Sequence, residues 1–303
     1  MTLPLNSEII FHTPGFRGYK TDEHNNQTAV EEFVSVSVTG TTCALHCEHC
    51  DTKVLRGMTD LRRFDGSLYD VCESLAEKGT RGVLISGGSD PQGRVPLLPH
   101  IADLKRVRRD LGLAVRVHVG LPDEETCAAL GEVDLDGAMI DVIGHRDTIR
   151  EVYHLAADPE DYEDALSWLE KHKVPMVPHI ILGLHYGKML GEDRALEMIL
   201  RHPPKLLALV VLMSISKTAM ANVTPPSLDE IGAFFQKARK GLPSTPVMLG
   251  CARPMGKMKV EIDRLAVDAG LNGIAFPANG IVEYAQQAGM TPQFVNACCG
   301  VSW

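Results

Sequence analysis

In the stretch Gly40–Cys50, GTTCALHCEHC, three cysteines fall within eight residues directly after a short apolar segment. Their spacing, C-x3-C-x2-C, can bring three thiolates to one point, and soft sulfur ligands favour iron–sulfur clusters or zinc over hard cations. Electron-transfer clusters and structural zinc sites normally close with four ligands. Three cysteines therefore predict a cluster with one open iron, which can hold a substrate or cosubstrate. The alternative is a zinc knuckle completed by His46 or His49, but no second Cys-x-x-Cys half follows.

This cysteine spacing resembles that of the radical S-adenosylmethionine (SAM) enzymes. The resemblance implies that Cys43, Cys47 and Cys50 hold a [4Fe–4S] cluster whose open iron chelates SAM. Reduction would then cleave SAM to a 5′-deoxyadenosyl radical that abstracts hydrogen from the substrate. In many members the residue before the third cysteine is aromatic and lies near the adenine. Here it is His49, whose imidazole can take that place.

Composition limits the class of protein. The chain has 303 residues, 45% of them hydrophobic, which is enough for one large domain in the size range of an α/β barrel. No apolar run reaches membrane-spanning length, and the start Met1–Asn6 has no basic region leading into an apolar one. These features predict a cytoplasmic protein with no membrane partner, so its eight cysteines indicate metal binding rather than disulfides. The formal charge of −9 argues against a nucleic-acid partner, which needs a basic surface.

Short β-rich apolar runs alternate with amphipathic segments such as Ser67–Lys78, the pattern of repeated βα units around a parallel sheet. Eight such pairs predict an α/β fold of the (β/α)8 TIM-barrel type, with its chemistry at the carboxyl ends of the strands. The predicted domains are an N-terminal extension over 1–33, the barrel over 34–290, and a cysteine-containing tail over 291–303 that lies over the barrel mouth. The predicted strands are Val34–Val38, Gly82–Ser86, Ala114–Val119, Gly137–Ile143, Met176–Leu182, Leu206–Leu212, Val247–Gly250 and Gly273–Phe276.

Two strand ends carry residues that the radical SAM resemblance assigns to SAM. The second strand leads into Gly87, Gly88 and Ser89, and paired glycines let the backbone approach a ligand closely. In the family a Gly-Gly-Glu-like turn here binds the SAM amino group, so we expect Ser89 and backbone carbonyls to do so. The fifth strand carries Ile181 and Gly183, against which the adenine is expected to pack.

Polar side chains interrupt three of the apolar strands. Arg116 and His118 share one face of the third strand, and both need partners inside a barrel, so we assign them to the SAM carboxylate or the substrate. Asp141 in the fourth strand is costly if buried unpaired, which predicts contact with a ribose hydroxyl or an internal arginine. His179 is a further polar candidate on the fifth strand. The sequence identifies no catalytic acid or base.

A second set of cysteines involves the tail. Cys251 follows the seventh strand in the segment Gly-Cys-Ala-Arg-Pro, and Cys298 and Cys299 are adjacent near the carboxyl terminus. These three predict an auxiliary iron–sulfur cluster, completed by Arg253 or Ser302 or left open for substrate. The alternative is that adjacent terminal cysteines are incidental.

Over the whole barrel the chain resembles the biotin-synthase-related group of radical SAM proteins, and most of all one protein of the two-protein type of lipoyl synthase. The resemblance implies sulfur insertion at C6 or C8 of an octanoyl chain, carried on a lysine of a lipoyl carrier protein, with the auxiliary cluster consumed as sulfur source. It also implies a second radical SAM protein and an electron donor such as ferredoxin or flavodoxin as partners. The matching segments are Thr41–Cys50, Ser86–Asp90, His118–Gly120, Pro178–Leu184 and Gly250–Pro254.

Two functions of other kinds stay open. One is a radical SAM enzyme of biosynthesis without sulfur insertion, such as a methyltransferase or a carbon–carbon bond enzyme, which would hold a single cluster. The other is a non-catalytic iron–sulfur subunit that supports a partner enzyme. Iron and sulfide analysis tests the first, and reductive cleavage of SAM by the isolated protein would exclude the second.

Overall fold

The computed structural model describes residues 8–13, 19–23 and 32–301. In this part of the chain no helix is long and apolar enough to cross a membrane. The strands are β1 (Glu8–His12), β2 (Phe33–Ser37), β3 (Thr59–Asp60), β4 (Gly82–Ser86), β5 (Ala114–His118), β6 (Gly137–Asp141), β7 (Met176–Leu182), β8 (Leu207–Val211), β9 (Val247–Leu249), β10 (Gly273–Ala275) and β11 (Thr291–Val295). The α-helices are α1 (Leu68–Glu77), α2 (Ile101–Arg106), α3 (Glu124–Gly131), α4 (Pro159–Lys171), α5 (Glu192–Arg201), α6 (Leu228–Gly241), α7 (Lys257–Asp268) and α8 (Ile281–Gln287).

All of these strands belong to one parallel sheet in the order β11-β1-β10-β9-β8-β7-β6-β5-β4-β2-β3. The eight predicted strands are β2 and β4 to β10; they lie side by side in chain order, each followed by a helix. The predicted α/β fold of sequential βα units is therefore confirmed. Among the described residues no backbone ladder joins β11 to β2 or β3, and the Asn296 side chain, which donates to Glu32 Oε1 at 3.4 Å, links those edges instead.

Three strands lie outside the eight that the sequence predicts, and one of them is the two-residue β3, which pairs with β2. The strand β1 comes from the N-terminal extension and pairs with both β10 and β11, which comes from the tail. Both ends of the chain therefore contribute to the sheet. The remainder of the extension, residues 1–7, 14–18 and 24–31, lies outside the described residues, as does Ser302.

The strands are apolar because both faces of the sheet are covered. On β7, Ile180 and Leu182 pack with the helices in the outer core, whereas Val177, His179 and Ile181 face the interior enclosed by the sheet. This alternation directs every second side chain of each strand inward. Side chains near the carboxyl ends of the strands consequently meet in one interior region.

The C-terminal tail fills part of this interior. Residues 297–299 and Val301 are buried against Phe33, Val177 and Leu206, which lie near the amino ends of their strands. The sequence placed the tail over the barrel mouth. It lies deeper, because its small and apolar side chains are covered by the inner face of the sheet, and the space above it stays open.

Candidate active site

The three-cysteine loop follows β2 and is folded by its own hydrogen bonds. Ser37 Oγ donates to the Gly40 carbonyl at 2.7 Å, and Cys50 N–H donates to the Cys47 carbonyl at 3.1 Å. Cys43, Cys47 and Cys50 together line a pocket of about 190 Å³, called the cluster pocket below. The Cys47 and Cys50 side chains share a hydrogen bond, which lowers the pKa of Cys50 to about 4 and raises that of Cys47. Three sulfurs that face one pocket fit the predicted cluster.

The Gly87-Gly88-Ser89 turn at the end of β4 packs directly on this loop. Ser89 N–H points at Cys43 Sγ at 3.3 Å, and Ala44 N–H donates to the Ser89 carbonyl at 2.8 Å. A Cβ on Gly88 would lie 2.1 Å from the Thr42 carbonyl oxygen, so only glycine fits there. Gly87, Gly88 and Ser89 also line the cluster pocket, where their backbone groups are available to a polar ligand.

His154 holds the cysteine loop from a different part of the chain, and no sequence pattern pointed to it. Its Nδ1 donates to the Leu45 carbonyl at 2.8 Å, and its Nε2 lies 3.0 Å from Glu48 Oε1. The adjoining Val152 carbonyl accepts from Glu48 N–H at 2.9 Å. His154 has a φ of +58°, a backbone conformation that costs energy for a residue with a side chain and marks an unusual local requirement.

A group of polar side chains borders the cluster pocket at the ends of β5, β6 and β7. Asp141 Oδ1 lies 3.8 Å from His118 Nε2, and Asp141 Oδ2 accepts from the Tyr153 hydroxyl at 3.2 Å. Burial raises the pKa of Asp141, but His118, His179 and His49 outweigh it, and the carboxyl stays ionised. Burial lowers the pKa of His179 to about 4, so its ring is neutral at pH 7. Of the two partners predicted for Asp141, the internal arginine is thus replaced by histidines and a tyrosine, and contact with a ribose hydroxyl stays a prediction.

His49 lies where the resemblance places an aromatic residue. Its ring is 5.2 Å from the Tyr153 ring, centroid to centroid, and it lines the cluster pocket. Its Nδ1 is buried and has no hydrogen-bond partner among the described residues. The ring can therefore offer a flat face to a ligand in this pocket.

The remaining residues predicted to bind SAM lie further from the cysteines. Ile181 lines the neighbouring cavity, and Gly183, with a φ of +77°, donates its N–H to Glu192 Oε1 at 2.8 Å. Burial raises the pKa of Glu192, a residue that the sequence analysis did not single out. Arg116 lines neither space. It is buried, and its Nη1 donates to the Cys299 carbonyl at 2.5 Å, so it points to the tail and away from the cluster pocket.

A second space, called the inner cavity below, adjoins the cluster pocket and measures about 420 Å³. The two share His49, Val54, Met58 and Asp141 in their walls. Apart from His49, Asp141 and His179, the lining is chiefly aliphatic and thioether side chains. Examples are Leu84, Met139, Ile181, Val210, Leu212 and Met213.

Cys251, Cys298 and Cys299 come together in the wall of the inner cavity. The Cys299 thiol is hydrogen-bonded to Cys251 and Cys298; the contact with Cys251 and burial raise its pKa, whereas the contact with Cys298 acts in the opposite direction. Contact with Cys299 and burial likewise raise the pKa of Cys298. Two buried thiols and one half-buried thiol, supplied by two distant parts of the chain, are the soft ligand type that an iron–sulfur cluster takes.

Arg253 is not available as a ligand of this second site. Its guanidinium forms a buried ion pair with Asp263, with Nε 2.6 Å from Oδ1, and donates to the carbonyls of Gly250 and Phe276. These bonds instead fix the backbone on both sides of Cys251. The suggestion that Arg253 completes the cluster is therefore wrong, because its charge is paired with Asp263 and four of its five N–H groups are bonded within the protein.

Comparison with known proteins identifies the family. The model of the radical SAM superfamily matches residues 37–189, about half of the chain, and this span includes all three loop cysteines. The chain belongs to the radical SAM superfamily. Membership implies a [4Fe–4S] cluster and SAM, and the three converging sulfurs with the close glycine turn fit both.

Individual radical SAM proteins resemble the chain over most of its length. The biotin synthase of Vesicomyosocius okutanii subsp. Calyptogena okutanii (strain HA) is 25% identical over 292 residues, covering 91% of this chain and 84% of that protein. Methylornithine synthase (PylB) aligns with a TM-score of 0.56 at 14% identity, covering 92% and 84% of the two chains. The FeFe-hydrogenase maturase HydG from Carboxydothermus hydrogenoformans aligns with a TM-score of 0.62 at 13% identity, covering 95% and 68%. The structural matches establish the fold.

Proposed function

We propose that this protein inserts sulfur into an octanoyl chain carried by a lipoyl carrier protein, as one component of a two-protein type of lipoyl synthase. The observation that carries the proposal is the meeting of Cys251, Cys298 and Cys299 in the wall of the inner cavity, next to the cluster pocket. A sulfur-inserting radical enzyme needs a substrate carbon between a hydrogen-abstracting centre and a sulfur source. The similarity to a biotin synthase supports the same class of reaction.

The loop side of the site positions the cofactor. Cys43, Cys47 and Cys50 would hold the [4Fe–4S] cluster, while the turn around Gly88 and the ring of His49 offer backbone and aromatic contacts to SAM. When bound, cluster and SAM supply the one-electron chemistry that removes hydrogen from an unactivated carbon. The protein holds these groups in a fixed geometry and keeps them away from water.

The cavity side of the site selects the substrate. An apolar space of about 420 Å³ suits a saturated chain better than a charged metabolite, because desolvating a charge without a partner is expensive. His118, Asp141 and His179 stand at its border with the cluster pocket and give that region polarity. Cys251, Cys298 and Cys299 would hold the auxiliary cluster that supplies the sulfur and is consumed.

The partners of the reaction belong to the same proposal. A chain attached to a carrier lysine must enter through the mouth of the barrel, so the carrier protein or domain docks there. A second radical SAM protein would insert the other sulfur, and a ferredoxin or flavodoxin would supply electrons.

Anaerobic reconstitution with an octanoylated carrier peptide tests the proposal. The expected product is heavier by one or two sulfur atoms, and the protein should hold about eight irons per chain, as for two [4Fe–4S] clusters. The Cys251→Ala variant should still cleave SAM but should lose sulfur insertion. The control is Cys72→Ala, which removes a thiol buried in the core outside the site.

The outcomes separate the proposed function from its rivals. About four irons per chain in the wild type would indicate a radical SAM enzyme without sulfur insertion. Full sulfur insertion by Cys251→Ala would overturn the sacrificial role of the second site. Failure of the reconstituted wild type to cleave SAM would indicate a supporting subunit.

A further inference from the structure

Arg116 is one of the largest fully buried side chains of the protein, at 1% exposure. It lies on the inner face of β5, and its Nη1 donates to the backbone carbonyl of Cys299. Its Nε is buried with no hydrogen-bond partner. Among the described residues no carboxylate lies within ion-pair distance of it, so the guanidinium is a buried charge with no counter-ion of its own.

Such an arrangement is unfavourable unless an anion joins it. A buried guanidinium keeps its proton, so the charge cannot be removed by a shift in protonation. An ionised group in an apolar interior costs several kcal/mol when it has no opposite charge, at the order of magnitude known for buried ions. Within the described part of the chain, the other buried arginine is Arg253, which meets this requirement by pairing with Asp263. The contrast indicates that Arg116 faces a partner that is bound from outside the polypeptide.

The groups next to Arg116 become anionic when they bind a metal. Arg116 binds the Cys299 carbonyl, and Cys298 and Cys299 serve as cluster ligands only as thiolates. A cluster held by three thiolates brings negative charge into the same interior. The unpaired guanidinium and the anionic site are therefore joined through the backbone of Cys299.

We propose that Arg116 is the counter-ion and clamp of the auxiliary cluster: it holds the tail through the Cys299 carbonyl and balances the charge of the thiolate-bound cluster. This inference rests on the proposed function, because it requires the second cluster. It assigns to Arg116 a role in the sulfur-supplying site and none in SAM binding. Arg116 is a positioning residue, since it touches the tail and leaves the reacting carbon alone.

A second buried side chain supports the clamp. His12 on β1 is fully buried, and its Nε2 accepts from the Gly300 N–H at 3.3 Å, one residue beyond Cys299. Thr13 Oγ1 also donates to Asn296 Oδ1 at 2.8 Å, before the cysteine pair. The tail is thus held on both sides of Cys298 and Cys299 by polar groups, and Arg116 is the charged member of this set.

The inference is tested on the full chain in a background that lacks the SAM cluster, with Cys43, Cys47 and Cys50 changed to alanine. Iron and sulfide per chain and the reduction potential of the auxiliary cluster are measured. Arg116→Met should lose more than half of the auxiliary iron, and any remaining cluster should be reduced at a more negative potential, because a nearby positive charge favours the added electron. Arg116→Lys should restore iron and most of the potential.

Two further variants separate the charge from the clamp. Arg116→Gln can still donate to the Cys299 carbonyl, so it should keep more iron than Arg116→Met while showing the same shift in potential. Arg108→Met is the matched control, since Arg108 pairs with Asp136 and Asp134 outside the interior and should leave both values unchanged. Reductive SAM cleavage by Arg116→Met in the chain with all loop cysteines would show that the barrel is folded.

The possible failures are distinguishable. Wild-type iron content and reduction potential in Arg116→Met, or equal defects in Arg116→Met and Arg116→Lys, would overturn the counter-ion role of Arg116. The proposed function would stand in either case. Absence of any auxiliary cluster in the background protein would overturn the proposed function and this inference with it.

Discussion

Gly88 shows how a single residue determines the contact between the two halves of the cluster pocket. An ideal Cβ there would lie 2.1 Å from the Thr42 oxygen and 2.4 Å from Cys43 Cβ, and both neighbours belong to the cysteine loop. We expect Gly88→Ala to push the loop outward, because backbone cannot yield as a flexible side chain does. The expected cost is about 1–3 kcal/mol, the usual range for overpacking. Iron retained at the SAM site and the midpoint of thermal unfolding should both fall.

Gly57→Ala is the matched control for this prediction. A Cβ on Gly57 meets nothing within 4 Å, although the residue also lies near the mouth of the barrel. It should retain iron like the wild type. Equal iron retention in Gly88→Ala and Gly57→Ala would show that the loop adapts, and that close packing of the turn is not what holds the cluster.

For single residues, the sequence predicted what a side chain can bind better than it predicted where that side chain points. The loop cysteines and the Gly-Gly turn were found from local spacing, since the groups that must meet lie one βα unit apart. Arg116 was assigned to SAM because its strand position faces inward, yet its partner is the Cys299 carbonyl, 183 residues away in sequence. The sequence shows that a buried arginine needs a partner, but only the fold shows which one.

The elements were the most predictable level of the structure. Strand β8, Leu207–Val211, is buried at every position, which matches its uninterrupted apolar sequence. The helix predicted over Ser67–Lys78 spans Leu68–Glu77, with Ser67 as N-cap and Asp70 completing the capping box. Strands β1, β3 and β11 were missed: β3 has only two residues, and β1 and β11 pair with strands that are distant in sequence. Their pairing depends on tertiary contacts that local periodicity does not encode.

His154 connects the cysteine loop to the segment between β6 and α4, and a prediction follows at this scale. His154→Ala would remove the bond to the Leu45 carbonyl and leave Glu48 without its partner. Mutation of a residue that holds metal ligands in place typically lowers metal affinity by about 10–100-fold. We expect the SAM-site iron of His154→Ala to be lost to a chelator at least about tenfold faster, at the lower end of that range.

His202→Ala serves as the comparison, because His202 pairs with Glu170 at a distance from the loop. Its rate of iron loss should equal that of the wild type. If His154→Ala also keeps its iron at the wild-type rate, the loop is held by its own turns and by the glycine contact alone.

For the whole molecule, the two ends of the chain complete the interior that the eight βα units enclose. The N-terminal strand supplies His12, and the tail supplies Cys298 and Cys299, so the proposed sulfur site depends on residues almost 300 positions apart. Burial lowers the pKa of His12 to about 3, with the charge of Arg116 adding to the effect. A neutral His12 can accept the Gly300 N–H, whereas a protonated one cannot.

The folded protein should consequently lose stability in mild acid. Below about pH 6.5 the unfolded chain binds a proton at His12 while the folded chain does not until about pH 3, so the free energy of unfolding falls as pH falls. At about 1.4 kcal/mol per pH unit, one such histidine contributes about 2 kcal/mol of loss between pH 6.5 and pH 5.

His12→Gln keeps an acceptor for Gly300 and has no proton to gain. Its unfolding midpoint, measured from pH 7 to pH 5, should therefore drop less than that of the wild type, whereas His145→Gln, at a half-buried site near the surface, should follow the wild type. An unchanged acid dependence in His12→Gln would mean that the tail opens before His12 is exposed to protons, and that the sulfur site and the barrel unfold separately.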